Sequence, residues 1–365
     1  MRVALDARSL IAPVPRGWDR YLLELADALE AEGADVTMVH RAGAPPHAGH
    51  RVRCALLPVD ARSGLHWEQV ALPRALRAGR FDVYHAPAEH GVPLWAPCPV
   101  VLTIHSATGH SYRRLVDSGV LPGRVADYLG WEPDWRGWRA LYWTAQTRRA
   151  SHVLTPSRFC HEEVTELLSI PGERVTVTPL GLPREFAREA EPERPERPYL
   201  LFVGGYEPHK NPAGLLAAFE LVRRRRPEFD LVMAGSGDPP SRLLETAPQG
   251  VRFLSRWPRL PELYAGASAF VSLSWRETFC LPAIEAMSQG VRPVLSQYGA
   301  ASEVAGDHAI LVDPRDIARS ADAIVDALDR PPSAVERSAM KLHARRYTWE
   351  AAAGRTLDVY RKVAA

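Results

Sequence analysis

The chain has 365 residues, 45 of them basic and 43 acidic, for a formal net charge of +2. That balance excludes a dedicated nucleic-acid binder, which carries a concentrated basic excess. A content of 46% hydrophobic and 24% charged residues excludes wholesale disorder, and the length predicts about two domains. Only three basic residues are lysines, Lys210, Lys341 and Lys362. A coding bias toward arginine accounts for this, yet it makes each lysine worth locating, since an ammonium and a guanidinium are not interchangeable. The four cysteines, Cys54, Cys98, Cys160 and Cys280, lie far apart, so neither a zinc site nor a disulfide framework is expected. The charged opening, Met1 to Arg8, does not read as a signal peptide, and no apolar run reaches the ~18 residues of a membrane span. The expectation is a soluble, cytoplasmic protein, with peripheral contact at the inner membrane face left open and the oligomeric state undetermined.

Short apolar runs alternate with helical patterns, which predicts parallel sheets, because parallel neighbours need crossover connections. A strand is expected at 2–6 and a helix at 19–32, with Tyr21, Leu22, Leu25, Ala28 and Leu29 at helical spacing and Gly33 as the stop. Strands are expected next at 36–39, 81–85, 100–105, 153–155 and 175–177. The stretch 184–198 is charged, proline-rich and almost without apolar residues, and reads as a linker. The pattern then restarts, with strands at 199–203, 231–234, 269–273 and 292–295, a helix at 211–225 and a last helix at 348–363. The reading is α/β, with an N-terminal domain over 1–183, a linker over 184–198 and a C-terminal domain over 199–347. Ligands of such sheets bind at the carboxyl ends of the strands, and two such domains facing each other would form a cleft.

Three turns carry candidate chemistry. In the block Ser274 to Met287, a strand ends, a loop holds Glu277 to Leu281, and a helix begins around Pro282. Free amides at that helix start favour a phosphate. Glu285 is expected in the first helical turn, so Glu277 and Glu285 could face one ligand, with carboxylates accepting from sugar hydroxyls. A dipole-favoured first-turn Glu beside a surface Glu explains the spacing equally well. In Gly204-Gly205-Tyr206-Glu207-Pro208-His209-Lys210, glycines would admit a ligand to the backbone, and Lys210 offers a compact charge for phosphate. Gly235 opens a third turn that lacks the full dinucleotide pattern. His105 ends a predicted strand, and His85 and His90 sit similarly. Tyr128 to Trp143 is tryptophan-rich, with Trp131, Trp135 and Trp138, and reads either as packing or as an aromatic wall for an acceptor. No Asp-x-Asp metal-chelating pair and no Gly-x-Ser-x-Gly turn occurs.

Taken in order, these pieces resemble the family-4 retaining glycosyltransferases of GT-B architecture. Val203-Gly204 to Lys210-Asn211, Ala234 to Gly237, Glu262 to Ala267, Glu277 to Glu285, Glu303 to Asp307 and Leu311 to Pro314 resemble the donor domain. Asp6-Ala7-Arg8, Gly17 with Arg20-Tyr21, His85-Ala86-Pro87, Thr103-Ile104-His105, Thr155-Pro156-Ser157 and Pro179-Leu180-Gly181 resemble the acceptor domain of the mannosyltransferase-like branch. The resemblance implies two Rossmann-like domains across a cleft, with the C-terminal helix, 348–365, crossing back to the first domain. It implies that Lys210 binds the donor diphosphate, Glu285 the ribose hydroxyls and Glu277 the transferred sugar. Backbone amides over Thr278, Phe279, Cys280 and Leu281 would hold sugar and phosphate. Gly17, Gly204, Gly205 and Gly235 would lie close to the donor, Arg256 and Trp257 would border the base, and His105 would line the reaction centre.

Three departures stand out. Gly205 occupies a position where many relatives carry a phosphate-binding arginine, Thr278-Phe279-Cys280 replaces the usual Gly-Phe-Gly, and Ser106 follows His105 where an acidic or other polar residue is expected. The implied reaction is metal-independent, retaining transfer of a hexose from a GDP-mannose-like or UDP-sugar donor to a glycan, lipid-linked or small-molecule hydroxyl, with no cofactor. A phosphorylase, epimerase or coupling enzyme of the same fold, or a non-catalytic sugar-nucleotide binder, are the alternatives.

Overall fold

The computed structural model describes every residue except 12–16, 89–90, 130–137, 193–195, 236 and 256–258, and it leaves out the side chains of 108, 138 and 139. The chain divides into two compact units. The first comprises Met1–Ser111, Pro133–Gly181 and Thr348–Ala365, and the second Tyr112–Glu132 and Leu182–Tyr347.

The first unit is built on seven parallel strands: β1 (Arg2–Asp6), β2 (Asp35–Arg41), β3 (Ala55–Val59), β4 (Val83–Ala86), β5 (Val100–Thr103), β6 (His152–Thr155) and β7 (Val175–Val177). They run in the order β3-β2-β1-β4-β5-β6-β7. Register pairs Val3 with both Val36 and Val83, so β1 and β4 are the central neighbours. Leu22, Leu25 and Leu29 of the helix Gly17–Ala31 pack into one apolar cluster with Trp349, Leu357 and Tyr360 of the helix Trp349–Ala364. The last helix therefore belongs to the first unit's core, although 182–347 intervenes in sequence.

The second unit carries six parallel strands: β8 (Tyr199–Gly204), β9 (Asp230–Gly235), β10 (Val251–Leu254), β11 (Ala269–Ser272), β12 (Pro293–Ser296) and β13 (Ile310–Val312). Their order is β10-β9-β8-β11-β12-β13. Both sheets are doubly wound, with a switch point between β1 and β4 in one and between β8 and β11 in the other. At such a point the connections diverge to opposite faces and leave room for a ligand at the carboxyl edge.

Strands β3, β10 and β13 are not among the strands expected from the sequence. All three are sheet edges with half-exposed residues: β3 carries Pro58, which argues against a strand unless it is an edge, Arg252 interrupts β10, and β13 is only three residues long. The segment Tyr112–Glu132, expected in the N-terminal domain, groups with the second unit. Tyr112, Leu121, Val125 and Tyr128 form an apolar cluster against which Trp275 packs. The described residues of the stretch expected as a linker group with the second unit, in its piece Leu182–Tyr347. There Phe186 sets its ring edge-on to Tyr264 and Glu189 pairs with Lys341. Among the described residues no helix is long and apolar enough to cross a membrane.

Candidate active site

The loops leaving β8 and β11 meet at the switch point of the second sheet. After β8 the chain makes a tight turn, Pro208–Lys210, and reaches Asn211 at φ +53°. Asparagine tolerates this left-handed conformation better than most residues. Its side chain caps the helix Pro212–Arg225 by accepting from the Gly214 amide at 3.2 Å, and it donates to the Leu273 carbonyl at 3.0 Å. The Trp275 amide donates to the His209 carbonyl at 3.0 Å. The two loops are thereby stitched together, and residues 67 positions apart are brought into contact. Lys210 Nζ lies 3.0 and 3.1 Å from the two carboxylate oxygens of Glu277, and the Ser274 hydroxyl donates to Glu277 Oε1 at 2.6 Å. Burial pulls the Lys210 pKa down, but the charge and hydrogen bonds of Glu277 outweigh it and leave the ammonium above its ordinary value. Burial pushes Glu277 up, and Lys210 and Ser274 overcome that and hold its carboxyl below the usual range. Both groups are charged at neutral pH.

The backbone of Glu277 is held by a residue that no motif singles out. Gly299 sits at φ +88°, and a Cβ there would fall 2.1 Å from the Glu277 carbonyl oxygen. That close approach lets the Ala300 amide donate to the same carbonyl at 2.7 Å.

The helix Leu281–Ser288 follows, with Cys280 at its N-cap and no side-chain cap. Glu285 lies in the second turn of this helix and not, as expected, in the first. It is 2% exposed, and the Tyr264 hydroxyl donates to its Oε2 at 2.8 Å. Cys280, in the position usually held by glycine, takes φ +71°, a conformation costing a non-glycine residue roughly 1–2 kcal/mol. Phe279 is buried edge-on to the Tyr347 ring, so its side chain packs and only its backbone can serve a ligand. Thr278 and Leu281 are half-buried on either side.

The glycines divide. Gly204 and Gly205 form the exit of β8. Gly235, expected near the donor, is covered by the ring of Tyr206, whose hydroxyl donates to the Met233 carbonyl at 3.2 Å. It is a packing glycine. Gly17 begins its helix in open space, where a Cβ would meet nothing within 4 Å, so sterics do not demand glycine there. Arg256, Trp257, Trp131, Trp135, the side chain of Trp138 and His90 lie outside the described residues.

In the first unit His105 is half-buried just beyond β5. Its Nε2 is 2.9 Å from the Pro87 carbonyl and therefore carries the proton, leaving Nδ1 as the acceptor. Burial lowers its pKa to about 4 despite that bond, so the imidazole is neutral. His85, expected as an acceptor contact, is instead part of the first unit's interior. It is 0% exposed, with Nδ1 2.6 Å from the Tyr360 hydroxyl and Nε2 2.7 Å from Thr103 Oγ1. Both nitrogens are used in tying the last helix to the sheet. Tyr21 completes the group, bonding Thr103 at 2.9 Å and setting its ring edge-on to His105 at 4.7 Å.

Two family models cover the chain nearly end to end: "Glycosyltransferase Family 4" over residues 15–186 and "Glycosyl transferases group 1" over residues 183–346. The chain belongs to the family-4 glycosyltransferases of GT-B fold. O-antigen chain mannosyltransferase B of Escherichia coli is 31% identical over 231 residues, 58% of this chain and 61% of that protein, so the match spans less than two thirds of that relative. A D-inositol 3-phosphate glycosyltransferase of Thermobispora bispora is 29% identical over 77% of this chain and 71% of its own. Among solved structures, sucrose-phosphate synthase of Thermosynechococcus elongatus matches with a TM-score of 0.75 at 21% identity, over 99% of this chain and 98% of that one. Anabaena HepE in complex with UDP-glucose matches with a TM-score of 0.70 at 14% identity, over 99% and 100%. At these identities the structures speak for the fold. In this chain the Lys210–Glu277 pair lies at the carboxyl edge of the second sheet, beyond β8 and β11.

Proposed function

We propose that this family-4 glycosyltransferase moves a hexose from a nucleoside diphosphate sugar to an acceptor hydroxyl, with retained anomeric configuration. The observation that carries the reading is the Lys210–Glu277 ion pair at the switch point, with the Glu285 helix beside it. The departing diphosphate builds up negative charge, and fixed positive groups lower that barrier. Lys210 would exchange the Glu277 carboxylate for phosphate oxygens as the donor arrives. Glu277, released, would accept hydrogen bonds from the sugar hydroxyls. The side-chain-uncapped start of the helix Leu281–Ser288 favours the same anion. Glu285, oriented by Tyr264, would take the ribose hydroxyls. His105 is proposed to line the reaction centre as a neutral acceptor at Nδ1. In this reading Lys210 and the helix amides carry the leaving-group charge without a metal ion or cofactor. The acceptor is a glycan, a lipid-linked sugar or a small molecule. The mannosyltransferase relative favours a GDP-mannose-like donor, and HepE with UDP-glucose keeps a UDP-sugar in view.

The test is incubation with GDP-, UDP-, dTDP- and ADP-sugars and a panel of hydroxyl acceptors, reading product anomer by NMR. One donor should give α-linked product from α-linked donor, and Lys210→Ala should abolish it. Product of inverted configuration, or equal turnover in Lys210→Ala, would refute the mechanism.

A further inference from the structure

The segment Tyr112–Glu132 lies between two pieces of the first unit in sequence and belongs to the second unit in space. Its apolar residues form a cluster separate from the core under the second sheet. In that cluster Tyr112 and Tyr128 stack at 5.8 Å, and the Tyr128 ring stands edge-on to Trp275 at 5.6 Å. The helix Val125–Leu129 packs on the turn Pro208–Lys210. Arg315, paired with Asp313, donates to the Val120 carbonyl at 3.0 Å. These contacts fall on loops at the carboxyl edge of the sheet. Trp275 is the neighbour of Ser274, which bonds Glu277, and its amide is tied to His209, the neighbour of Lys210.

We propose that Tyr112–Leu129 is a positioning element of the donor site, and that Tyr128, through Trp275, holds the Lys210 turn and the Glu277 loop in register. The proposal rests on the reading of that site as a nucleoside diphosphate site. The cluster covers loops and leaves the sheet's own core to other residues. Its removal therefore loosens the two loops without unfolding the sheet. A displacement of about 1 Å in such groups is enough to cost binding and rate.

The test uses the full chain with Tyr128→Ala, Tyr128→Phe and Arg315→Met. Binding of GDP, UDP, dTDP and ADP is measured by calorimetry, and amide exchange is followed at Trp275 and at Leu231 of β9. Tyr128→Ala should weaken binding of the preferred nucleotide about tenfold and speed exchange at Trp275, with Leu231 still protected. Tyr128→Phe, which keeps the ring and loses only the hydroxyl's bond to the Pro122 carbonyl, should lose far less than Tyr128→Ala, and Arg315→Met should lose about twofold. Wild-type affinity or unchanged Trp275 exchange in a folded Tyr128→Ala overturns the proposal. So does equal loss of protection at Leu231, which makes the cluster part of the general core. Should Tyr128→Ala fail to fold, Arg315→Met decides by the same two readouts. If the wild type binds none of the four nucleotides, the donor-site reading falls, and the exchange data alone judge the segment.

Discussion

The two sheets reverse strand order at equivalent places, and the charges there are used in opposite ways. At the end of β1, Arg8 binds Asp6 at 2.6 Å and Glu68 at 2.9 Å and lies 4.1 Å over the Trp67 ring. Tyr84 donates to Asp6, and Tyr142 and Gln146 donate to Glu68. Every charge in this network has several partners drawn from different segments. At the end of β8 one lysine faces one glutamate, each from its own loop. A saturated network resists exchange, because a ligand would have to replace many bonds at once. A single ion pair can be exchanged for a phosphate. The proposed ligand role of the second unit's pair and a folding role for the first unit's network are the two readings this contrast sets against each other.

The sharpest way to break that comparison is to remove the cation from each. Lys210→Ala is expected to lower turnover about 10³-fold, read as kcat with saturating donor, and to cost less stability than Arg8→Ala, since it leaves one carboxylate, still bonded by Ser274, without its cation. Lys210→Arg should recover little of it, since a planar fork does not replace a point charge. Arg8→Ala strands two largely buried carboxylates and is expected to cost roughly 3–5 kcal/mol of stability, read by denaturant unfolding. If Arg8→Ala is stable and Lys210→Ala unfolds, the assignment of roles is reversed.

A smaller effect tests how the second carboxylate is held. Glu285→Gln keeps the size and removes the charge, and is expected to lower kcat/KM about 10- to 100-fold, the range for a hydrogen bond to a charged group. Tyr264→Phe removes one donor to Glu285 and should cost about fivefold, mostly in donor KM. Equal losses in the two variants would mean that Tyr264 itself binds the donor.

These variants also mark what was legible in the sequence. The central strands were, because burial on both faces leaves an uninterrupted apolar run. The edge strands β3, β10 and β13 were not, because Pro58 stands in the first, Arg252 interrupts the second and the third is only three residues long. Lys210 and Glu277 were both singled out, but for separate duties. Their pairing depends on Asn211 and Trp275 stitching two loops, which no local spacing reveals. His85 looked like a ligand contact because it ends a strand. Its partner Tyr360 lies 275 residues away, and only folding of the last helix onto the first unit brings the two together. Gly299 was invisible because its constraint is the backbone of Glu277. The membership of Tyr112–Glu132 in the second unit was hidden for the same kind of reason: its apolar residues are matched by Trp275, far off in sequence.

Acid tests the buried histidines of the first unit. Burial, with a further push from His105, lowers the His85 pKa to about 3, and burial lowers that of His105 to about 4, against roughly 6.5 in an unfolded chain. Above ~6.5 both states are neutral and these histidines contribute fully. As pH falls below that value the unfolded chain takes up protons that the native state refuses. Stability then drops by about 1.4 kcal/mol per pH unit for each such proton, down to the native pKa values. Glu277, whose pKa is held below its ordinary value, contributes above the carboxylate range and is lost only as pH falls through it. The first unit should therefore weaken between pH ~6.5 and ~4, and His209 beside Lys210 and His308, both lowered chiefly by burial, bring part of the same loss to the second unit, while the Glu277 carboxylate stays charged until lower pH. Thermal transitions of wild type and His85→Gln over that range test this. The variant should show a shallower decline, because one of the refused protons has been removed. Parallel curves would place the acid sensitivity outside the Tyr360–His85–Thr103 group.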